Sequence, residues 1–286
     1  MDQTLLQKTF SPSELSDDTV QQFQHIIYDY YEKLGRRFPW RDTNNPYHIL
    51  VSEIMLQQTQ TDRVVSKYNE FIETFPDFSS LAEASFQQVL SVWQGLGYNR
   101  RALALKKTAE TVVKQFHGVL PDTVDDLQRL PGLGEYTAAA ICAFAFNQPT
   151  VFIETNIRTV FLHFFFQDQK KVKDSDVYPV VEQTMDTSNP REWYYALMDY
   201  GVMLKKRYPH VNKKSAHYVK QNPFQGSNRQ IRGRILKELI TNGSKSFDEI
   251  LKTLLVNPEK LQQILLQLEK EGLIVKEGSV YTIAQR

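Results

Sequence analysis

From Asp17 to about residue 220, apolar residues recur at helical spacing, and segments that alternate apolar with polar are almost absent. A body of that kind can bury its apolar stripes only helix on helix, so the fold class predicted for this stretch is all-α. SDDTVQQFQHIIYDYYEKLG opens with Ser16, Asp17 and Asp18 as cap and first-turn acids and closes at Gly35. Pro46 takes a first helical position for one long helix through YHILVSEIMLQQTQTDRVVSKYNEFIETF, ending near Pro76. Shorter helices follow at SLAEASFQQVLSVW, RRALALKKTAETVVKQF and TVDDLQRL.

The pattern changes behind NPFQGSN, a Pro/Gly/Asn linker at residues 222–228. Three short helical segments come next, then two apolar-alternating segments about a Glu277–Gly278 turn, which together predict a winged helix. Arg229, Arg232 and Arg234 stand at its entrance and favour a DNA contact over plain packing on its neighbour. The predicted organisation is an N-terminal extension over residues 1–16, a helical domain over 17–221 and a winged-helix domain over 222–286. At 286 residues and 41% apolar, the chain is long enough for this and apolar enough for a real core.

LPGLGEYTAAAICAF stops one helix at Pro131 and starts another near Glu135. Gly132 and Gly134 permit a tight turn and a close approach of backbone to a ligand. The new helix then offers N–H groups and the positive end of its dipole, which suits a phosphate oxygen, although a plain helical corner also uses Gly and Pro.

A glutamate on a helix is usually solvated, but Glu53 sits in ILVSEIML, where six of eight residues are apolar. With Ile49, Leu50 and Leu56 at neighbouring helical positions, this turn is expected to be buried nearly all round, which biases a carboxyl toward its protonated form. Gln57, Gln58 and Gln60 follow with amides suited to base edges. Glu154 lies at the start of the helix TNIRTVFLHFF, after the extended TVFI. It reads either as an acid that only complements the helix dipole or as the second of two catalytic carboxylates. Tyr98, in the helix-linking loop GLGY, is placed to project.

The net charge of +1 conceals a segregation. Between Lys205 and Lys237 there are ten basic residues and no acid, so removing those ten from +1 leaves −9 for the rest of the chain. Such a run is the footprint of a polyanion such as nucleic acid, or a solvated basic face. The one cysteine, Cys142, lies in the apolar run AAAICAFAF and reads as core; alone it holds neither a zinc nor an iron–sulfur site. His163, in FLHFFF, reads as a core or helix-face histidine, so no metal site is expected. With no run of membrane-spanning length and no signal peptide order at the N-terminus, the chain reads as soluble and cytoplasmic, with no membrane partner.

SEIMLQQTQ, WQGLGYNRRALAL, LPGLGEYTAAAICAFAF and ETNIRTV occur in the order and spacing of the MutY-type adenine glycosylases of the helix-hairpin-helix DNA glycosylase superfamily, and residues 38–201 resemble them throughout. The resemblance implies a mainly α, two-subdomain glycosylase fold, here followed by the small winged-helix domain, with the active site in the cleft between subdomains. It implies that Glu53 protonates the adenine ring and that Glu154 stands where the family has an aspartate. Tyr136 and Asn156 match residues that support the acidic pair. Tyr136 also occupies the place of the nucleophilic lysine of endonuclease III-type relatives, which implies a monofunctional glycosylase without efficient lyase activity. Gln58, Leu96 and Tyr98 match residues inserted into the duplex; Gly132 and Gly134 match the phosphate-holding hairpin, and Arg158 in ETNIRTV joins the DNA-binding set. The four cluster cysteines of the family have no counterpart, which implies no cofactor and a loop between Leu204 and Lys220 that keeps its shape by packing alone. The family's 8-oxoguanine-recognising C-terminal domain does not match either; the winged helix stands in its place.

The function implied is hydrolysis of the N-glycosidic bond of adenine opposite guanine or 8-oxoguanine, by a monomeric, nucleoid-associated enzyme whose partner is duplex DNA with a flipped-out base. In such a reaction one carboxyl protonates the leaving base, while the other stays ionised and stabilises an oxocarbenium-like sugar. The alternatives are excision of T or U opposite G, or a catalytically inactive binder of distorted DNA.

Overall fold

A computed structural model describes residues 10–12, 15–218 and 224–285 of the chain. In chain order its helices are α1 (Asp17–Leu34), a 3-10 turn at Pro39–Arg41, α2 (Pro46–Leu56), α3 (Thr61–Thr74), α4 (Phe78–Glu83), α5 (Phe86–Trp93), α6 (Arg100–Phe116) and α7 (Val124–Gln128). These are followed by α8 (Glu135–Phe146), α9 (Thr155–Phe164), α10 (Asp174–Thr184), α11 (Pro190–Arg207), a 3-10 turn at Val211–Lys214, α12 (Asn228–Asn242), α13 (Phe247–Leu254) and α14 (Pro258–Lys270). Three short strands, β1 (Lys245–Ser246), β2 (Ile274–Glu277) and β3 (Val280–Ile283), complete it. The chain forms two compact units, one from Met1–Ile49, Asp122–Gln128 and Leu133–Lys220, the other from Leu50–Pro121, Arg129–Gly132 and Gln221–Arg286.

In the first unit, α1 begins and ends where the sequence predicts: Ser16 accepts from Thr19 N at 3.2 Å, and Gly35 donates to Tyr31 O at 2.8 Å. Its core is aromatic, with Phe23, Phe161, Phe164, Trp193 and Tyr200 wholly buried. Phe10 of the N-terminal extension joins it, donating its N–H to Phe164 O at 2.8 Å; the other extension residues, 1–9, 13 and 14, lie outside the described residues. Helix α8 is apolar on every side and is buried accordingly from Thr137 to Ala145. Helices α9 and α11 cross closely, which requires glycine at position 201: a Cβ there would lie 2.2 Å from the carbonyl oxygen of Asn156. That crossing brings the C-terminal turn of α11 beside the first turn of α9.

The second unit holds α3 to α6 together with the winged helix. Helices α12, α13 and α14 pack on a sheet of order β1-β3-β2, antiparallel throughout, with Val280 opposite Glu277 across the predicted turn. The winged helix shares its unit with α5, on which α12 packs, and so does not stand apart as the boundary at 221/222 implied. That boundary itself falls outside the described residues.

The long helix expected from Pro46 to Pro76 is broken. It ends at Leu56 and restarts at Thr61, with Gln58 in the left-handed region at φ 54°. The periodicity runs through the break because each half buries its own apolar residues, Ile49 to Met55 in the first and Val64, Tyr68 and Phe71 in the second; the interruption is imposed from α6.

Candidate active site

Glu154 is the N-cap of α9. One carboxylate oxygen, Oε1, accepts from Asn156 N at 2.6 Å and Ile157 N at 2.9 Å; the other, Oε2, accepts from the Asn156 side-chain amide at 3.1 Å. The side chain is long enough to fold back onto the first turn, so a glutamate performs what an aspartate or serine usually does. Lys205, from the last turn of α11, donates to the Asn156 side-chain oxygen at 3.0 Å. Thus Lys205, Asn156 and Glu154 form one relay, and the positive end of α9 faces the carboxylate.

These contacts were expected to keep Glu154 ionised. Desolvation nonetheless outweighs them: the net displacement of its carboxyl is above the ordinary glutamate range, with the two backbone N–H groups, Lys205 and the Asn156 amide pulling the other way. Burial thus disfavours the charge that the hydrogen bonds favour. Tyr136, at the second position of α8 in the same unit, is 38% exposed and stands edge-on to Phe152 at 5.7 Å between ring centroids.

Glu53 lies on α2. Ile49, Leu50, Val51, Ser52, Ile54 and Met55 are all buried, as ILVSEIML predicts, but Glu53, Leu56 and Gln57 are only half-buried. Positions 53, 56 and 57 share one helical face, and that face is the side left uncovered. The turn is therefore not closed all round, and the carboxyl sits on its open stripe.

Of the two hairpin glycines, Gly132 is conformationally required. It has φ +80°, and a Cβ on it would come within 2.7 Å of Ala104 Cβ. Gly134 has ordinary extended backbone (φ −84°), and a Cβ there would meet nothing within 4 Å. No side chain caps the N-terminus of α8, whose N-cap is Gly134, so this helix start lies under open space. Pro131 is pinned through its carbonyl, which accepts from Thr108 at 2.9 Å.

The turns carrying Gln58 and Tyr98 are organised by a residue that motif reading did not single out. Arg101 is 9% exposed, and its guanidinium donates to the carbonyls of Ile54 (2.8 Å), Met55 (2.8 Å) and Gln57 (2.6 Å) at the end of α2. It also reaches Thr59 Oγ1 (2.9 Å), Gly97 O (3.1 Å) and Leu96 O (3.4 Å). It thereby takes up carbonyls that a continuing helix would have used, and this is what breaks the predicted long helix. Burial pulls its pKa down to about 10, which leaves it charged at neutral pH. Gln58 (φ 54°) and Tyr98 (φ 48°) both hold left-handed backbone, a cost of about 1 kcal/mol each that persists where surroundings over-determine it.

Three members of the proposed DNA-binding set are engaged otherwise. Leu96 is 4% exposed, buried by the loop it belongs to, and is not presented for insertion. Arg158 is a strut between α9 and α10, paired two-pronged with Asp174 at 2.6 and 2.7 Å. Tyr98 is half-buried, with its hydroxyl accepting from Arg229 at 3.0 Å. Gln58 alone of the three duplex-inserting candidates is exposed.

The basic run also divides. Lys205 to Lys214 belong to the first unit and Arg229 to Lys237 to the second. The loop after α11 is held by more than packing: Val172 N donates to Lys214 O at 2.9 Å, Ala216 N to Val172 O at 2.8 Å, and Lys214 Nζ to Gln167 O at 2.6 Å. His163 stacks on Tyr208 at 5.3 Å in this core. Cys142 is wholly buried, its thiol pushed up to about 11 by burial. One thiol inside α8 and none in the 204–220 loop do not fit an iron–sulfur cluster, and no group of three or more His, Cys, Asp or Glu side chains suited to a metal occurs among the described residues. Nor is any described helix long and apolar enough to cross a membrane.

Residues 51–177 match the family described as HhH-GPD superfamily base excision DNA repair protein. The chain is 33% identical over 184 residues to the adenine DNA glycosylase of Buchnera aphidicola subsp. Baizongia pistaciae, covering 64% of this chain and 52% of that one. It is 38% identical over 154 residues to that of Mycobacterium tuberculosis, covering 52% and 51%, and 31% identical over 215 residues to the human one, covering 70% and 39%. The chain thus spans about half the length, or less, of the curated relatives it matches. Among solved structures it resembles a thermostable thymine-DNA glycosylase (TM-score 0.58, 24% identity, 65% of this chain and 88% of that one). It also resembles endonuclease III in a non-covalent DNA complex (TM-score 0.55, 16% identity, 74% and 91%). Both likenesses agree with the mainly helical fold.

Proposed function

We propose, from the match of residues 51–177 to the HhH-GPD superfamily of base excision DNA repair proteins, that this chain is a monofunctional DNA N-glycosylase that removes adenine mispaired with guanine or 8-oxoguanine. The observation that carries the reading is the carboxylate of Glu154, fixed at the N-terminus of α9 by two backbone N–H groups and by Asn156, itself held by Lys205. A carboxylate presented in this way suits a cationic sugar carbon. The adenine assignment rests on the four sequence motifs and on relatives that are adenine DNA glycosylases.

In the proposed reaction the nucleotide leaves the stack, since its glycosidic bond is unreachable within it. Glu53, on the half-open stripe of α2, donates a proton to a ring nitrogen of the base as the C1′–N bond breaks. The bonding pair leaves with the base, and the sugar becomes an oxocarbenium-like cation opposite the Glu154 carboxylate. Water then adds to C1′ and loses a proton, leaving an abasic site and free adenine. Tyr136 has no amine, so no Schiff base forms and the strand stays uncut. Gln58 wedges into the vacated stack, and the Gly132–Gly134 hairpin holds a backbone phosphate at the start of α8.

Duplexes carrying A opposite 8-oxoguanine, A opposite G, T opposite G, U opposite G, and hypoxanthine, incubated with the protein and then cleaved with alkali, test this. Excision is expected from the two adenine duplexes; excision confined to the pyrimidines overturns the adenine assignment.

Lys205 supplies a second expectation. The active form of Glu154 is ionised, so activity is lost as pH falls through its raised pKa. Lys205→Met removes a cation that lowers that pKa, pushing it further up. The acidic limb of the single-turnover rate profile is therefore expected to move to higher pH, while the rate on the plateau is kept. A limb that stays in place would separate Lys205 from the titration.

A further inference from the structure

Within the second unit, the turn at residues 58–60, the loop at residues 94–99 and helix α12 enclose an open groove of about 870 Å³. Its walls carry six cations, Arg63, Arg100, Arg229, Arg232, Arg234 and Lys237, against one acid, Glu271. That acid is consumed locally: it accepts from Arg232 and lies 3.8 Å from Arg100. Arg63, Arg234 and Lys237 point into solvent, and Arg100 remains 72% exposed beside its partner.

On α12 the groove is lined by the face of residues 229, 232, 233, 236, 237 and 240 and, beside it, by residues 228, 230 and 234, so Arg234 flanks that face. Midway along that face stands Gly233, where a Cβ would meet nothing within 4 Å, so the face has a gap between its cations. Positive charge is spread along a helix and two turns, with the amides of Gln60, Gln94 and Gln230 between them. That distribution matches a repeating anion better than a single one.

We propose that this groove is a DNA-backbone site: the winged helix grips phosphodiester groups of the duplex beside the wedge residue Gln58, with Arg234, Lys237, Arg63 and Arg100 as the phosphate contacts. The site rests on the glycosylase reading only for its placement next to the wedge. Arg229 and Arg232 are not contacts in it but struts. The first holds the Tyr98 hydroxyl at 3.0 Å, joining the winged helix to the residue 94–99 loop, and the second holds Glu271 within the winged helix itself.

The test is the full chain with Arg234→Glu and Lys237→Glu together, measured for binding to a fluorescent duplex over a salt series. Each phosphate contact contributes about 0.9 to the slope of log affinity against log salt. Loss of two is expected to lower that slope by about 2 and to weaken binding at least about tenfold at low salt. Unchanged affinity and slope overturn the proposal. Should the double variant fail to fold, acetylation of Lys237 in the unaltered protein decides: it is expected to be slowed by duplex DNA. Equal labelling with and without DNA, or equal protection by polyglutamate, overturns the assignment. Binding is read apart from chemistry, so unaltered protein that binds without excising counts against the glycosylase reading alone.

Discussion

Glu154→Gln is expected to lower single-turnover excision of adenine by about 10³-fold while leaving affinity for the same duplex within about threefold. The substitution keeps the side-chain length and one carbonyl-type oxygen, so the cap to Asn156 N and Ile157 N, now at 2.6 and 2.9 Å, survives in part. What disappears is the negative charge opposite the developing sugar cation, together with the acceptor for the Asn156 amide. A weakened cap costs about 1 kcal/mol, too little to unfold a domain. In the proposed complex duplex affinity is carried by cations and backbone groups elsewhere, so it is expected to hold. Under the proposed mechanism, loss of Glu154 is also expected to erase the acidic limb of the pH profile, because that limb would be its ionisation. Unchanged excision by Glu154→Gln would reduce the residue to a helix cap.

Most helices were legible because each depends on local spacing and on capping within a few residues; SLAEASFQQVLSVW, expected as one helix, divides into α4 and α5 where Ser85 caps the second. Ser16 and Gly35 bound α1, and Pro131 to Glu135 turn the hairpin, as read directly from the sequence. Glu154 at a helix start was legible for the same reason. The break at Gln58 was not, because its cause lies 44 residues further on, where Arg101 takes up the Gln57 carbonyl. The Lys205–Asn156 bond spans 49 residues and was equally hidden; in the sequence Lys205 is one member of a basic run. Leu96 and Arg158 misled in the opposite sense. Both stand in matched motifs, but whether a side chain in a motif points outward or into its own unit is settled by packing that spacing does not encode. Caps and turns made within one segment were legible, and hydrogen bonds that join distant segments were not.

Arg101→Met tests that last class of residue most severely, with an expected loss of stability on the order of 4 kcal/mol. Methionine fills much of the same volume and leaves no large cavity, so the loss isolates the hydrogen bonds. Five carbonyls and the Thr59 hydroxyl now accept from one buried guanidinium. Each acceptor stranded without a partner costs about 1–3 kcal/mol, and only the more accessible ones recover water. For a protein of this size the change corresponds to a fall in Tm on the order of 10 °C. Arg101→Lys is expected to recover less than half of it, since an ammonium donates three bonds from a single atom and cannot span the α2 end and the Leu96–Gly97 carbonyls together. Function should fall further than folding. Gln58 and Tyr98 hold left-handed backbone against the end of α2 and the residue 94–99 loop, both of which Arg101 ties down. Measured well below the lowered Tm, the variant should therefore still bind duplex through its cations yet excise more slowly, because the wedge no longer meets the stack in a fixed conformation. A destabilisation under about 1 kcal/mol would mean that water replaces the guanidinium at little cost, and that the turn at Gln58 is set by its own residues after all.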